Sequence, residues 1–199
     1  MAISPAYFEA MFDDNDDPWS FRSRWYEARK RAVVLASLPH LIYDAGYEPG
    51  CANGELSAEL ALRCKSLLVS DGTPRAVDLA RDRLKALPHV EVIQAWVPDD
   101  WPSRKFDLIV FSELGYFLTE SALHQMTEKL RASLLENGTI LACHWRRPIA
   151  GCAMTGDEVH SRLHQALRLK RVVNMFDTDF MLDIWSSDPE SVAQREQIS

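Results

Sequence analysis

Cysteine, basic charge and long apolar runs are all scarce in this sequence, and each scarcity removes a class of protein. The four cysteines, Cys51, Cys64, Cys143 and Cys152, show no paired close spacing. Neither a metal site nor a disulfide framework is expected from them, and a reducing, cytoplasmic setting fits. Lysine and arginine number 22 against 29 acidic residues, a net charge of −7, and no basic block exceeds Arg29-Lys30-Arg31. A chain that grips a phosphate backbone presents a basic surface. Nucleic acid is therefore not the expected partner, and a neutral or cationic small molecule suits the charge better. Apolar runs such as Leu108–Phe111 fall far short of the ~20 residues of a membrane helix. The opening Met1-Ala2-Ile3-Ser4-Pro5 lacks the basic-then-apolar pattern of a secretory signal, so none is expected. What remains is a chain of 199 residues, 47% hydrophobic, enough for one sizeable core and one domain over 1–199.

The first region, about Pro5 to Leu38, reads as helical and aromatic, with Tyr7, Phe8, Phe12, Trp19, Phe21, Trp25 and Tyr26. The acidic run Asp13–Asp17, closed by Pro18, interrupts it; it reads as a solvated loop or as a lure for a cationic ligand. Short apolar strands then alternate with amphipathic helices. The strand candidates are Tyr43–Glu48, Leu67–Asp71, Val90–Ala95, Phe106–Ser112 and Thr139–His144. Helix candidates are Glu55–Arg63, Pro74–Leu84 and Ser121–Leu135, and Thr155 with Glu158 has capping-box spacing for a fourth, to Leu167. Thr73 and Thr119 are placed as N-caps, and Asn137-Gly138 as a helix stop. Leu169–Phe176 and Phe180–Trp185, split by Asp177-Thr178-Asp179, read as a hairpin. Strict alternation predicts an α/β fold. The expected architecture is a doubly wound, mostly parallel seven-stranded sheet with a C-terminal β-hairpin, its α/β core spanning 39–199 behind a helical N-terminal lid over 1–38.

Between the first strand and the first helix lies Glu48-Pro49-Gly50-Cys51-Ala52-Asn53-Gly54-Glu55. Small residues there let the backbone approach a ligand at the carboxyl end of the sheet. Asp71, at the end of the second strand, is placed to accept hydrogen bonds from both ribose hydroxyls of a nucleoside. A dinucleotide turn reads G-x-G-x-x-G and shelters a pyrophosphate at the helix N-terminus. Here the spacing is G-x-A-x-G with Glu55 next, and an acid at that helix start repels a diphosphate. S-adenosylmethionine carries no phosphate, and Glu48 suits its cationic amino-acid end.

The Glu48–Glu55 turn, Asp71 with Thr73-Pro74-Arg75-Ala76, and Phe106-Asp107-Leu108-Ile109-Val110 resemble class I methyltransferases. Together with Asp17-Pro18-Trp19, Ser112–Leu118 and His144-Trp145-Arg146, they are most similar to the nodulation protein S family, over nearly the whole chain. The resemblance implies a Rossmann-like fold, S-adenosylmethionine as methyl donor and S-adenosylhomocysteine as product. The family's nodulation enzyme N-methylates an amino sugar on a chitin-like oligosaccharide. The acceptor expected here is accordingly a small molecule, methylated on nitrogen, an amino sugar or related amine. Two departures stand out: Ala52 replaces the middle glycine, and Ala95-Trp96 replaces the acid usual after the third strand. Trp96 is then the candidate to stack on or wall in the adenine. The cofactor set comprises Glu48, Gly50, Cys51, Ala52, Asn53, Gly54, Asp71, Gly72, Arg75, Ala95, Trp96 and Ser112.

Methyl transfer from a sulfonium is an in-line displacement, so positioning supplies most of the catalysis, with a base or water path useful for an amine. Glu113 is the candidate to hold or deprotonate the acceptor, unless it is a surface carboxylate. Tyr116 is placed to close the pocket, or simply packs the core. His144, at the end of the fifth strand, suits proton transfer or is a satisfied structural histidine. Trp19, Tyr26, Arg146 and His160 are candidates for contacting the substrate, and Trp25 joins Trp19 and Tyr26 as lid aromatics. His160 and His164 share a helical face, half of a metal site, but Ser161 follows where the metalloprotease pattern needs glutamate; no metal is assigned. Two other functions remain on this reading. A nicotinamide-dependent oxidoreductase uses a similar fold, and a non-catalytic regulatory domain can keep a cofactor pocket.

Overall fold

In the computed structural model, which describes residues 3–198, seven strands form one sheet. They are β1 (Gly46–Pro49), β2 (Leu67–Asp71), β3 (Val90–Gln94), β4 (Phe106–Ser112), β5 (Leu134–Trp145), β6 (Lys170–Phe176) and β7 (Phe180–Ser186). Their order is β3-β2-β1-β4-β5-β7-β6. The first five pair in parallel, and β7 joins antiparallel to both β5 and β6. Seven helices accompany them: α1 (Pro5–Asp13), α2 (Trp25–Ser37), α3 (Glu55–Leu60), α4 (Pro74–Leu84), α5 (Glu120–Ser133), α6 (Gly156–Leu167) and α7 (Val192–Arg195). No helix among the described residues is long and apolar enough to cross a membrane.

Alternation along each strand divides the core. Leu108, Val110, Leu141 and Leu182 face one layer with Val34 of α2, Leu60 of α3 and Ala80 of α4. Ile109, Phe111, Ile140 and Trp185 face the other with Leu123 and Met126 of α5 and Val159 and Leu163 of α6. Central strands covered on both faces read as apolar runs; the edge strand β6 alternates exposed and half-buried residues.

Local chemistry explains where the elements stop. Thr119 Oγ1 accepts from Ala122 N–H at 3.1 Å, and Thr155 with Glu158 forms the full capping box. Arg63 caps the end of α2, donating to Leu35 O at 2.8 Å and to the carbonyls of His40 and Leu41 just beyond. Three expectations need correction. Strand β1 begins at Gly46 rather than Tyr43, because the Asp107 carboxylate takes the Asp44 and Ala45 N–H groups at 2.7 and 2.8 Å that a ladder would use. Thr73 makes no side-chain cap on α4; instead Asp71 Oδ1 accepts the Thr73 N–H at 2.9 Å. Asn137-Gly138 is not a helix stop, since α5 runs directly into β5 and the pair sits in a register shift where Asn137 has φ 61°. The N-terminal region is two helices, α1 and α2, with the acidic interruption between them.

Candidate active site

The turn after β1 is built for close approach from above the sheet. Gly50 and Cys51 N–H donate to Ser70 O at 2.7 and 2.9 Å, and Gly54 N–H to Cys51 O at 2.9 Å. Gly50, Ala52 and Gly54 take φ of 76°, 47° and 80°. The left-handed region costs a non-glycine residue roughly 1–2 kcal/mol. At Ala52 an acceptor holds it there: Asp71 Oδ2 takes the Ala52 N–H at 3.0 Å. The Asp71 carboxylate thus bridges turn and β2, keeps lone pairs for further donors, and has its pKa raised by burial against the opposing pull of these hydrogen bonds. A Cβ on Gly54 would lie 3.2 Å from Ala80 Cα, so this glycine serves the contact of α3 with α4 rather than the cavity wall.

Beneath the turn Glu48 is buried, and Ser57 Oγ donates to its Oε2 at 2.6 Å. Burial pushes the Glu48 pKa up to about 8; the Ser57 bond opposes this and Asp71 adds to it. Asn53 is 1% exposed; its Nδ2 donates to Asp17 Oδ1 at 3.0 Å and to Asp16 O at 3.3 Å, while its Oδ1 has no partner.

Those bonds bear on the acidic run. Asp17 accepts the N–H groups of Phe21 and Arg22 at 2.8 and 3.0 Å, and Asp16 Oδ1 accepts Arg75 Nε and Nη2 at 3.0 and 2.6 Å. Asp16 and Asp17 therefore fasten the loop between α1 and α2 over the glycine turn, while Asp13 to Asp16 stay exposed, as a solvated loop would. Aromatic side chains of the N-terminal segment pack on one another and on the 3-10 helix after β4, Phe12 to Trp19 edge-to-face at 5.6 Å, Trp19 to Phe21 tilted at 5.5 Å and Phe8 to Phe117 edge-to-face at 5.0 Å between centroids. Below them is a cavity of about 500 Å³, with Gly50, Ala52 and Asp71 on one side and Glu113, Tyr116 and Trp145 on the other. Trp19 and Tyr26 line it as expected. A smaller pocket beside it is lined by Glu48, Cys51, Asn53 and Ser112.

Glu113 joins three elements. Its Oε1 accepts from Lys30 Nζ at 2.6 Å, and its Oε2 from Tyr116 Oη at 2.5 Å and Trp145 N–H at 2.9 Å. With φ 55° its side chain is fixed at the end of β4. Three donors hold this carboxylate in place, so the geometry fits the holding role expected for it better than the deprotonating one. Tyr116 sits on the wall, its hydroxyl committed to Glu113, and burial holds its pKa well above the usual phenol value. Burial alone would push Lys30 down, but Glu113 and Glu27 outweigh it and keep the pKa above the ordinary lysine value; Glu27 Oε2 lies 3.0 Å from Lys30 Nζ.

His144 is fully buried and does not face the cavity, which corrects its assignment as a proton-transfer group. Its Nε2 accepts the Gly115 N–H at 3.0 Å, its Nδ1 meets His160 Nε2 at 3.1 Å, and His160 Nδ1 meets Asp183 Oδ2 at 2.8 Å. A backbone N–H can only donate, so the His144 proton is on Nδ1 and the His160 proton on Nδ1 toward Asp183. Asn174 Nδ2 closes the chain on Asp183 Oδ1 at 2.7 Å. Burial, reinforced by His160, pushes the His144 pKa well below the usual histidine value. This relay holds the short 3-10 helix Gly115–Phe117 that carries Tyr116. His160, within it, is fully buried and does not line the cavity, and His164 Nδ1 takes the Trp185 indole N–H at 3.1 Å.

Other placements also differ from expectation. Arg146 is committed to both Asp157 oxygens at 2.9 and 2.8 Å and to Asp177 O at 2.8 Å, away from the cavity. Arg75 pairs with Asp16 and lines neither cavity. Trp25 is 77% exposed. Ala95 is buried with its N–H on Asp71 O at 2.9 Å, and Trp96 lies against Gly72, where a Cβ would run into the indole; these three residues shape the turn behind Asp71 without lining the cavity. Sequence reasoning missed Lys30, Glu27, Phe117 and Asp179 on the wall and Asp183 in the relay. The Glu27–Lys30 spacing on one helix was the one available signal.

Comparison with known proteins agrees with this architecture. The chain is 33% identical to nodulation protein S of Sinorhizobium fredii over 124 residues, 59% of this chain and 57% of that protein, so it spans little more than half of that relative. A Pseudomonas syringae crystal structure that carries the name of a methyltransferase is 48% identical, covering 82% of this chain and 99% of that one with a TM-score of 0.74. The Bradyrhizobium japonicum N-methyltransferase NodS, solved with S-adenosyl-L-homocysteine, superposes with a TM-score of 0.77 at 22% identity, over 94% of this chain and all of its own, and thus shares the fold. The nodulation protein S family profile matches residues 11–159, and the chain belongs to that family.

Proposed function

We propose that this protein transfers a methyl group from S-adenosylmethionine to a nitrogen atom of a small-molecule acceptor, an amino sugar or related amine. The observation that carries the reading is the cavity that runs from Asp71 across the glycine turn to Glu113 and Tyr116, at the carboxyl ends of the parallel strands. Its residues fit the donor part by part. Asp71 keeps lone pairs for ribose hydroxyls. The aromatic roof gives an apolar, planar surface for a base. Glu48 and the unpartnered Asn53 Oδ1 offer acceptors for an ammonium group. When bound, the donor supplies a methyl already activated on a sulfonium.

The chain's own residues then position and shield. The aromatic segment over the cavity keeps water out, which strengthens every charge interaction inside. Tyr26 lines the cavity with a buried hydroxyl that has no partner. Burial raises its pKa, with smaller opposing and reinforcing effects from Lys30 and Glu113, so it stays protonated and can both accept an amine N–H and donate. Glu113, ion-paired with Lys30, keeps one carboxylate charge on the acceptor side without leaving its three donors. Incubation with labelled S-adenosylmethionine and a panel of amines and amino sugars, read by mass spectrometry, tests the proposal. Label on nitrogen is expected; oxygen or carbon labelling, or none across a broad panel, would contradict it. A dinucleotide reading is disfavoured by the G-x-A-x-G spacing of the turn; Glu55 at the start of α3 adds little against it, since its carboxylate pairs with Arg22 and Arg83 at 3.2 and 3.1 Å.

A further inference from the structure

We propose that His144 is a positioning residue for methyl transfer: its bond to the Gly115 N–H sets where Glu113 and Tyr116 meet the acceptor, a role that rests on the methyl-transfer reading above. The segment between β4 and α5 carries much of one cavity wall, since Glu113, Leu114, Tyr116 and Phe117 all line it. Gly115, in their midst, turns the other way. A Cβ there would meet Val159 Cγ1 at 2.5 Å and His144 Nε2 at 3.0 Å, and this close approach lets the Gly115 N–H donate to His144 Nε2 at 3.0 Å. The Tyr116 ring also meets the His144 ring edge-on, 5.6 Å between centroids. His144 itself is absent from the cavity wall, so it acts on the reaction through the residues it touches.

The side chains behind that bond are costly to bury. His144, His160 and Asp183 are each 0% exposed, and burying polar groups is unfavourable unless they are hydrogen-bonded. The relay bonds all of them, from His144 through His160 to Asp183 and on to Asn174. An apolar plug of the same volume would pack as well without the desolvation cost. What the relay adds is direction. The Asp183 charge polarises His160, which makes His144 Nε2 a better acceptor, and the fixed tautomer aims that nitrogen at Gly115. In-line displacement rewards such precision, because a misplacement of about 1 Å costs on the order of 100-fold in rate. Glu113 and Tyr116 flank Gly115 and are bonded to each other at 2.5 Å, so a shift of the glycine moves both. On the donor side, Asp71 is held by the turn, Glu48 by Ser57 and Asn53 by Asp17, independently of the relay. Loss of the Gly115 bond should therefore slow transfer and spare donor binding.

The experiment is steady-state methylation by the whole chain, with labelled S-adenosylmethionine and glucosamine, or the amine of the panel that wild type methylates fastest. His144→Gln places an amide oxygen near the position of Nε2, where it can accept the Gly115 N–H. His144→Asn is one methylene shorter, reaches only toward His160 and leaves that N–H unpaired. The expected kcat is close to wild type in His144→Gln and lower on the order of tenfold or more in His144→Asn, with affinity for S-adenosylhomocysteine retained in both by calorimetry. Where the melt of His144→Asn shows that it does not fold, Asp183→Asn takes its place. It keeps His144 but removes the charge that orders the relay, so kcat should fall several-fold with S-adenosylhomocysteine affinity retained. Equal kcat in the two His144 variants, an unchanged kcat in Asp183→Asn, or a fall in kcat matched by loss of S-adenosylhomocysteine affinity overturns the positioning role and leaves the methyl-transfer reading intact. Failure of wild type to methylate any amine of the panel overturns both.

Discussion

Replacing Glu48 with glutamine keeps the size and shape of the side chain and removes its ability to ionise. In the folded chain burial raises the Glu48 pKa from the ordinary 4.5 to about 8. The folded state therefore binds more protons than the unfolded chain between those values, and stability falls as pH rises through that window. Each pKa unit corresponds to about 1.4 kcal/mol, so wild type loses on the order of 4 kcal/mol from this one group between about pH 5 and pH 8. Glutamine has no such dependence. Denaturant unfolding of both proteins across that range should give curves that nearly meet at the acid end. They should separate by about 1.4 kcal/mol per pH unit, with Glu48→Gln the more stable, and run parallel above about pH 8. A separation that stays constant with pH would refute the claim that Glu48 is protonated in the free protein. If Glu48 also receives an ammonium group, binding at about pH 7 must expel its proton. Titration with S-adenosylhomocysteine in buffers of different ionisation enthalpy should then report proton release in wild type and none in the variant.

The histidine relay makes its own predictions. Asp183→Asn removes the charge that accepts from His160 at 2.8 Å; a loss of about 2–4 kcal/mol in chemical denaturation is expected, and no loss would mean that the chain of bonds is unimportant. Because His144 is kept neutral well below its usual pKa, no histidine limb from it should appear in the pH profile of methyl transfer, and one that vanished in His144→Gln would contradict its placement. Gly115→Ala would put a Cβ 2.5 Å from Val159 Cγ1 and 3.0 Å from His144 Nε2. Strain of about 1–3 kcal/mol is expected by thermal unfolding, and an unchanged melt would show that the 3-10 helix has room to move.

The alternating order of elements was legible because buried central strands are apolar runs with turn residues between them: β2, β4 and α4 run between the residues expected from the sequence. The start of β1 was not, because a carboxylate distant in sequence, Asp107, takes its N–H groups. The glycine-turn side of the candidate site was legible as local structure for a similar reason, since Glu48, the turn and Asp71 lie on consecutive elements whose junctions carry their own signals. The acceptor side depends on contacts between distant segments. Nothing local marks His144 as the middle of a chain ending at Asp183, or Glu113 as the partner of Lys30. Both histidine and glutamate looked reactive because their type and strand-end position suited chemistry, while their hydrogen-bond partners came from α2, α6, β5 and the 3-10 helix. The acidic run was legible as an exposed loop, but Asn53 and Arg75 as its partners were not.

The central claim is that the Glu48–Gly54 turn with Asp71 holds an adenosyl amino acid. Calorimetric titration of wild type and Asp71→Ala with S-adenosylhomocysteine, with a nicotinamide dinucleotide as control, tests it most directly. The account predicts one-to-one, roughly micromolar binding to wild type, a loss of about tenfold or more in Asp71→Ala, and no binding of the dinucleotide. Unchanged affinity in Asp71→Ala, or a preference for the dinucleotide, would contradict it.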